Sequence, residues 1–118
     1  LNILKTIISI EKPRNIQQAI AAERRENAVG ILQIRPIMVR EANNIVGYNK
    51  YRLEDRRDST KSVEIFFTVQ NYHNPNYCER NACSIWNIGK SVNKLKTKKH
   101  LDAFSKYWTK YNNLKNKV

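Results

Sequence analysis

The chain has 118 residues, with 22 lysines and arginines against 10 aspartates and glutamates, a formal charge of +12. That length fits one domain of about 100–150 residues, and 41% hydrophobic residues exclude a wholly disordered basic tail. Three glycines and three prolines are too few for a turn-rich β-sandwich, and the charge predicts an anionic partner such as nucleic acid, membrane or cell wall. In chain order, Leu1 to Glu11 reads as a helix, because Leu1, Leu4, Ile7, Ile8 and Glu11 recur at spacings of three and four. Pro13 ends it, since the residue before a proline is pushed out of helical geometry. Gln17 to Ala22 is a helical stretch, and Glu23 to Asn27 is expected to form an exposed, mobile loop.

Ala28 to Ile34 is an apolar run interrupted by Gly30 and Gln33. Pro36 suits the first turn of a helix reaching Val46, with Gly47 as its stop. Tyr48 to Asp58 is a charged connection, and Asp58 or Ser59 can cap a helix over Thr60 to Tyr72. Val63, Phe66, Phe67 and Gln70 are expected to share a face there. Asn74-Pro75-Asn76 is a break. Cys78 to Ile88 is a helix with Ala82, Ile85 and Trp86 on its apolar side, stopped by Gly89. Ser91 to Lys99 is a lysine-rich connection. Leu101 to Leu114 closes the chain as a helix with Phe104, Tyr107, Trp108 and Tyr111 on one stripe. The expectation is a mostly α, compact single domain over residues 1–118, with the basic region 90–118 included.

Four places carry candidate chemistry. Glu11 lies on the apolar stripe at a helix C-terminus, where burial and the helix dipole both favour the protonated acid. A general acid needs that state at neutral pH, though the same position also suits a fraying solvent edge. Gln33 is a lone amide in an apolar run beside Gly30; it either satisfies backbone, faces a polar ligand or sits on the surface. Trp86-Asn87-Ile88-Gly89 joins an aromatic platform to an amide, a pairing suited to sugars, and also reads as a core tryptophan before a helix stop. Tyr107 either aims a hydroxyl at a cleft or belongs to the core.

The order of these segments resembles the lytic transglycosylase and goose-type lysozyme superfamily. Its members have a catalytic glutamate, a G-L-x-Q-I-like segment, an aromatic-N-x-G segment and a late tyrosine. Here Glu11, Gly30-Ile31-Leu32-Gln33-Ile34, Trp86-Asn87-Ile88-Gly89 and Tyr107 occupy those places. Ala28 to Asn44, Tyr51 to Asp58 with its D-R segment, and Phe66 to Trp86 are similar to small lysozyme-like proteins of Bacteroidetes and their phages. The resemblance covers residues 3–111 and implies a lysozyme-like fold with a glycan-binding cleft. It implies cleavage of peptidoglycan between N-acetylmuramic acid and N-acetylglucosamine. Glu11 would be the acid, Gln33 and Asn87 would bind substrate, Tyr107 would bond around the glutamate, and Trp86 and Tyr72 would line the cleft. The sequence departs from the family where its serine after the glutamate is Lys12, and where N-G-G is Asn87-Ile88-Gly89.

No second acid sits in a catalytic motif, so the lyase reaction with one glutamate is favoured over hydrolysis. Glu23 or Glu26 is the candidate second carboxylate if water is used. The alternatives are a non-catalytic glycan-binding phage component and a basic nucleic-acid-binding module. Nine lysines from Lys90 onward face one acid, Asp102, beside Tyr107, Trp108 and Tyr111. No recognised nucleic-acid motif accompanies them, so no nucleic acid is expected. The expected partners are the peptidoglycan strand and the anionic envelope, with the chain a monomer unless it belongs to a virion. No cofactor is implied, because there is no phosphate-cradling glycine loop. Cys78, Cys83 and His73 make no metal set, and the two cysteines read as free thiols. Leu1 to Ile10 is superficially like a leader core, but Lys5 interrupts it and no small-residue cleavage site follows. Localisation stays open, with the cell envelope, periplasm or a virion as the settings that fit.

Overall fold

The structure is a computed structural model and describes residues 2–118. It contains six α-helices: α1 (Asn2–Glu11), α2 (Ile16–Glu26), α3 (Pro36–Val46), α4 (Ser59–His73), α5 (Glu79–Ile88) and α6 (Lys98–Leu114). Short 3-10 helices cover Leu53–Arg57 and Val92–Lys94. Among the described residues there is no strand, only an isolated bridge between Val29 and Ile34. The mostly α expectation is met. The predicted start of α1 at Leu1 lies outside the described residues.

The chain divides into two compact units: the residues up to Ile10 together with His73–Val118, and Glu11–Tyr72. In the first, α5 packs on α6. Ala82, Cys83, Ile85 and Trp86 from α5 and Phe104, Tyr107 and Tyr111 from α6 are buried, as the three-and-four spacing requires. The α6 aromatics form a ladder: Phe104 stacks on Trp108 at 6.3 Å and Trp108 on Tyr111 at 5.5 Å. Arg80 of α5 lies over Phe104 and Trp108, at 5.4 and 5.9 Å from their ring centres. Gly89 ends α5 in the left-handed region at φ +94, and its N–H donates to the Ile85 carbonyl. Lysine-rich residues begin α6 three positions before the predicted start, because Thr97 accepts the His100 N–H and caps it at Lys98.

In the second unit the buried apolar residues include Val29, Leu32, Ile34, Val39, Ala42, Ile65, Phe66 and Val69. Two sequence expectations are corrected. Glu23 to Glu26 are not a loop: they complete α2, which Asn15 caps by accepting the Gln18 N–H at 2.9 Å. Nothing in that segment breaks a helix, and Asn27, the first residue able to turn left-handed (φ 52), stops it. The inward face of α4 is also shifted. Ser62, Ile65, Phe66, Val69 and Gln70 are buried, whereas Val63 and Phe67 are half-buried and line a groove. The Asp58 carboxylate accepts the Lys61 N–H and caps α4.

Candidate functional site

The Gln33 segment is the most elaborately built part of the second unit. From Val29 to Ile34 the chain turns back on itself, and the two residues exchange backbone hydrogen bonds of 3.0–3.1 Å. Gly30 is at φ +86, where only glycine sits without strain. A Cβ there would also collide with the Arg56 carbonyl oxygen. Gln33 takes a left-handed φ of 50 despite having a side chain. Its own amide compensates: Nε2 donates to the Gly30 carbonyl at 2.9 Å, beside the Gln33 backbone N–H at 3.1 Å. Of the readings that the sequence left open, backbone satisfaction is the one seen for this nitrogen.

Arg56, which sequence reasoning did not single out, holds that turn in place. It is 5% exposed. Its Nη1 donates to the carbonyls of Asn27 (2.7 Å) and Ile34 (3.0 Å), and its Nε to Leu53 (2.9 Å). Nη2 reaches the Asn27 side-chain oxygen at 3.3 Å. The planar fork of donors thus clamps both ends of the Ala28–Ile34 segment, a geometry that lysine cannot copy. Burial lowers the Arg56 pKa, and the nearby Glu23 charge works against that shift. Ser62 Oγ donates to the Arg56 carbonyl at 3.0 Å and ties the clamp to α4. The only sequence signal was the D-R segment, Asp55-Arg56, and it gave no sign that Arg56 is buried while Arg52 and Arg57 are exposed.

Glu11 is the last residue of α1 and half-buried, and no basic residue stands in that helix's last turn. Lys12, the departure from the family pattern, is exposed. Tyr72 is 65% exposed. Trp86 and Tyr107 are each 6% exposed and leave little ring surface to solvent. Asn87 is half-buried, and its Oδ1 is fully buried without a hydrogen-bond partner. A buried orphan acceptor costs roughly 1–3 kcal/mol, a cost that a donor placed there would remove. Glu11, Gln33 and Tyr72 belong to the second unit, and Trp86, Asn87 and Tyr107 to the first.

The candidate second carboxylates are both engaged on α2. Glu23 accepts from Arg57 at 2.7 Å, and that ion pair holds its pKa below the usual carboxylate value. Glu26 lies 3.7 Å from Arg25. A separate groove of about 590 Å³ is lined by Lys50, Tyr51, Val63, Glu64 and Phe67, among others, and by none of the sequence-predicted site residues. Among the described residues, no group of three or more His, Cys, Asp or Glu is placed to hold a metal. No described helix is long and apolar enough to cross a membrane. No family model, curated protein or solved structure matches this chain.

Proposed function

We propose that this chain is a lysozyme-like, peptidoglycan-cleaving protein that acts as a lytic transglycosylase, with Glu11 as its one catalytic carboxylate. The observation that supports this reading is the setting of Glu11: half-buried, at the carbonyl end of α1. A general acid must reach the glycosidic bond with a proton to give. Glu11 would protonate the glycosidic oxygen as the bond to the muramic acid C1 breaks. The same carboxylate would then take the proton from that sugar's C6 hydroxyl as its oxygen bonds to C1. The product is a 1,6-anhydro sugar; no water is consumed and the acid is regenerated.

The lyase is preferred over a hydrolase because no second acid sits in a catalytic motif, and Glu23, the candidate nearest in sequence, is paired with Arg57 at 2.7 Å. In the second unit, Gln33 and exposed Tyr72 keep their proposed glycan-binding roles. In the first, Asn87 offers an unpaired acceptor, and buried Trp86 and Tyr107 would act only as its support. The nucleic-acid alternative loses support, since Tyr107 and Tyr111 are buried and half-buried Trp108 is stacked between Phe104 and Tyr111.

Digestion of purified peptidoglycan followed by mass spectrometry tests the proposal. Wild type is expected to release 1,6-anhydro ends, and Glu11→Gln to slow release by about 10²–10⁴-fold. Reducing ends instead of anhydro ends would make the enzyme a hydrolase. No release by wild type, or equal release by Glu11→Gln, would remove the catalytic assignment and leave a glycan-binding protein.

A further inference from the structure

The groove beside α4 plays no part in the chemistry proposed for Glu11, yet its walls are organised. Val63 and Phe67 provide a half-buried apolar wall. Phe67 is set edge-on against buried Phe66, with ring centres 5.4 Å apart, which limits its freedom to turn. The polar end is fixed from the backbone outward. Asn43 Nδ2 donates to the Tyr51 carbonyl at 2.9 Å, and its Oδ1 accepts the Tyr51 N–H at 2.8 Å. Tyr51, itself 3% exposed, donates its hydroxyl to Glu64 Oε1 at 3.2 Å. Glu64 is thus oriented but not enclosed: its side chain is 39% exposed, and Lys61 lies 4.0 Å from the other oxygen. Lys50 stands at the rim with its ammonium 5.4 Å from the centre of the Tyr51 ring. Asn71 adds an exposed amide one helical turn beyond Phe67.

An apolar wall, an oriented carboxylate and a cation at one edge specify a ligand with three matching parts. It has one apolar face, hydroxyl donors at its edge and an anionic group beyond them. Flat aliphatic or aromatic ligands lack the hydroxyls that Glu64 would accept. Simple anions would leave the apolar wall uncovered and meet Glu64 as a like charge. We propose that this groove binds a pyranose bearing a carboxylate, its apolar face on Phe67 and Val63, a hydroxyl donating to Glu64, and its carboxylate on Lys50. The choice of N-acetylmuramic acid as the sugar rests on the wall-glycan reading above; the groove and its chemistry do not. The site gives the protein a second hold on the glycan strand, separate from the bond being cut.

Titration of ¹⁵N-labelled protein with N-acetylmuramic acid and with N-acetylglucosamine, the same ring without the lactyl carboxylate, tests this directly. The acidic sugar is expected to shift the amides of Lys50, Glu64, Phe67 and Asn71. The neutral sugar is expected to bind about tenfold more weakly, the value of one charge-assisted contact. Lys50→Ala, at an exposed position, is expected to erase that difference. Glu64→Gln keeps the side-chain shape and is expected to weaken both sugars. Equal binding of the two sugars, shifts confined to residues outside the groove, or no shift at about 50 mM sugar, well above ordinary millimolar affinity, would overturn the groove proposal. The digestion assay reads the other proposal separately. Anhydro products without groove shifts would sink only the groove, and groove shifts without products only the catalytic role.

Discussion

Arg56 carries its charge into a place only 5% exposed, and the bonds that hold it there run to the carbonyls of Leu53, Asn27 and Ile34 and the Asn27 side chain. Removing the side chain leaves several of these acceptors without a donor in the interior. Arg56→Ala is therefore expected to cost about 3 kcal/mol or more in a urea unfolding experiment. Arg56→Lys should recover little of that, because one ammonium cannot span the fork. Gly30→Ala should disturb the same turn from the other side, where a Cβ meets the Arg56 carbonyl. The thiol pair is a second residue-level case. Cys83 is fully buried and its pKa is pushed up to about 12, first by burial and then by the Glu79 charge, while Cys78 is exposed. Burial and Glu79 push the Tyr111 phenol up as well. A raised pKa means that the folded state keeps a proton that the unfolded chain releases. Stability from Cys83 is whole below its unfolded pKa of about 8.5 and falls as pH rises from there toward 12. Melting temperature should drop between pH 9 and 11, and Cys83→Ala should flatten that drop. At pH 8, an alkylating reagent should add one group per folded chain, at Cys78, by mass spectrometry.

At the scale of elements, α2 shows why a charged stretch is not necessarily a loop. It has no buried residue, so its helix rests on caps, end charges and side-chain pairing rather than on a core face. Asn15 supplies the N-terminal acceptor, Asn27 the left-handed stop, and the Glu23–Arg57 pair ties its last turn to the 3-10 helix that carries Arg56. Asn15→Ala is expected to cost about 1 kcal/mol, read as a lower melting temperature and reduced helical ellipticity. Surface ion pairs contribute little, about 0–1 kcal/mol, so Glu23→Gln should be milder unless it moves Arg57 away from its place beside Arg56. Helix α4 offers the contrast. Its start and stop are legible from Asp58 and Asn74-Pro75, but its inward face only in part: Phe66 and Gln70 are buried, and Val63 and Phe67 are half-buried. The sequence has apolar residues on more than one side, and the buried side includes the polar Ser62 and Gln70. Of the face expected from spacing, Val63 and Phe67 instead line the groove.

For the molecule as a whole, the excess positive charge predicts long-range attraction to polyanions, and under the proposed function to an anionic wall. Clearance of whole cell walls should slow as salt rises, because the Debye length shortens from about 10 Å at 0.1 M to about 3 Å at 1 M. Cleavage of short soluble glycan fragments should change much less over that range. Equal salt dependence in the two assays would assign the lysines a role at the cutting step rather than in approach. The sequence by itself determined the helical class, the breaks at Pro13, Gly47, Asn74-Pro75 and Gly89, and the buried stripes of α5 and α6. Those features follow from local rules: proline and glycine limit the backbone, and helical spacing groups apolar side chains on one face. Among the candidate residues, it placed Glu11 at the end of α1 and Gln33 beside its glycine. Only the tertiary structure decided that Arg56 rather than Arg52 or Arg57 goes inside, that Gln33 braces its own turn, and that Tyr51 and Glu64 shape a groove. Each depends on acceptors or neighbours distant in sequence: Arg56 meets Asn27 and Ile34, and Tyr51 meets Asn43 and Glu64. Burying a polar group is tolerable only where such partners converge, and their convergence is a property of the folded chain.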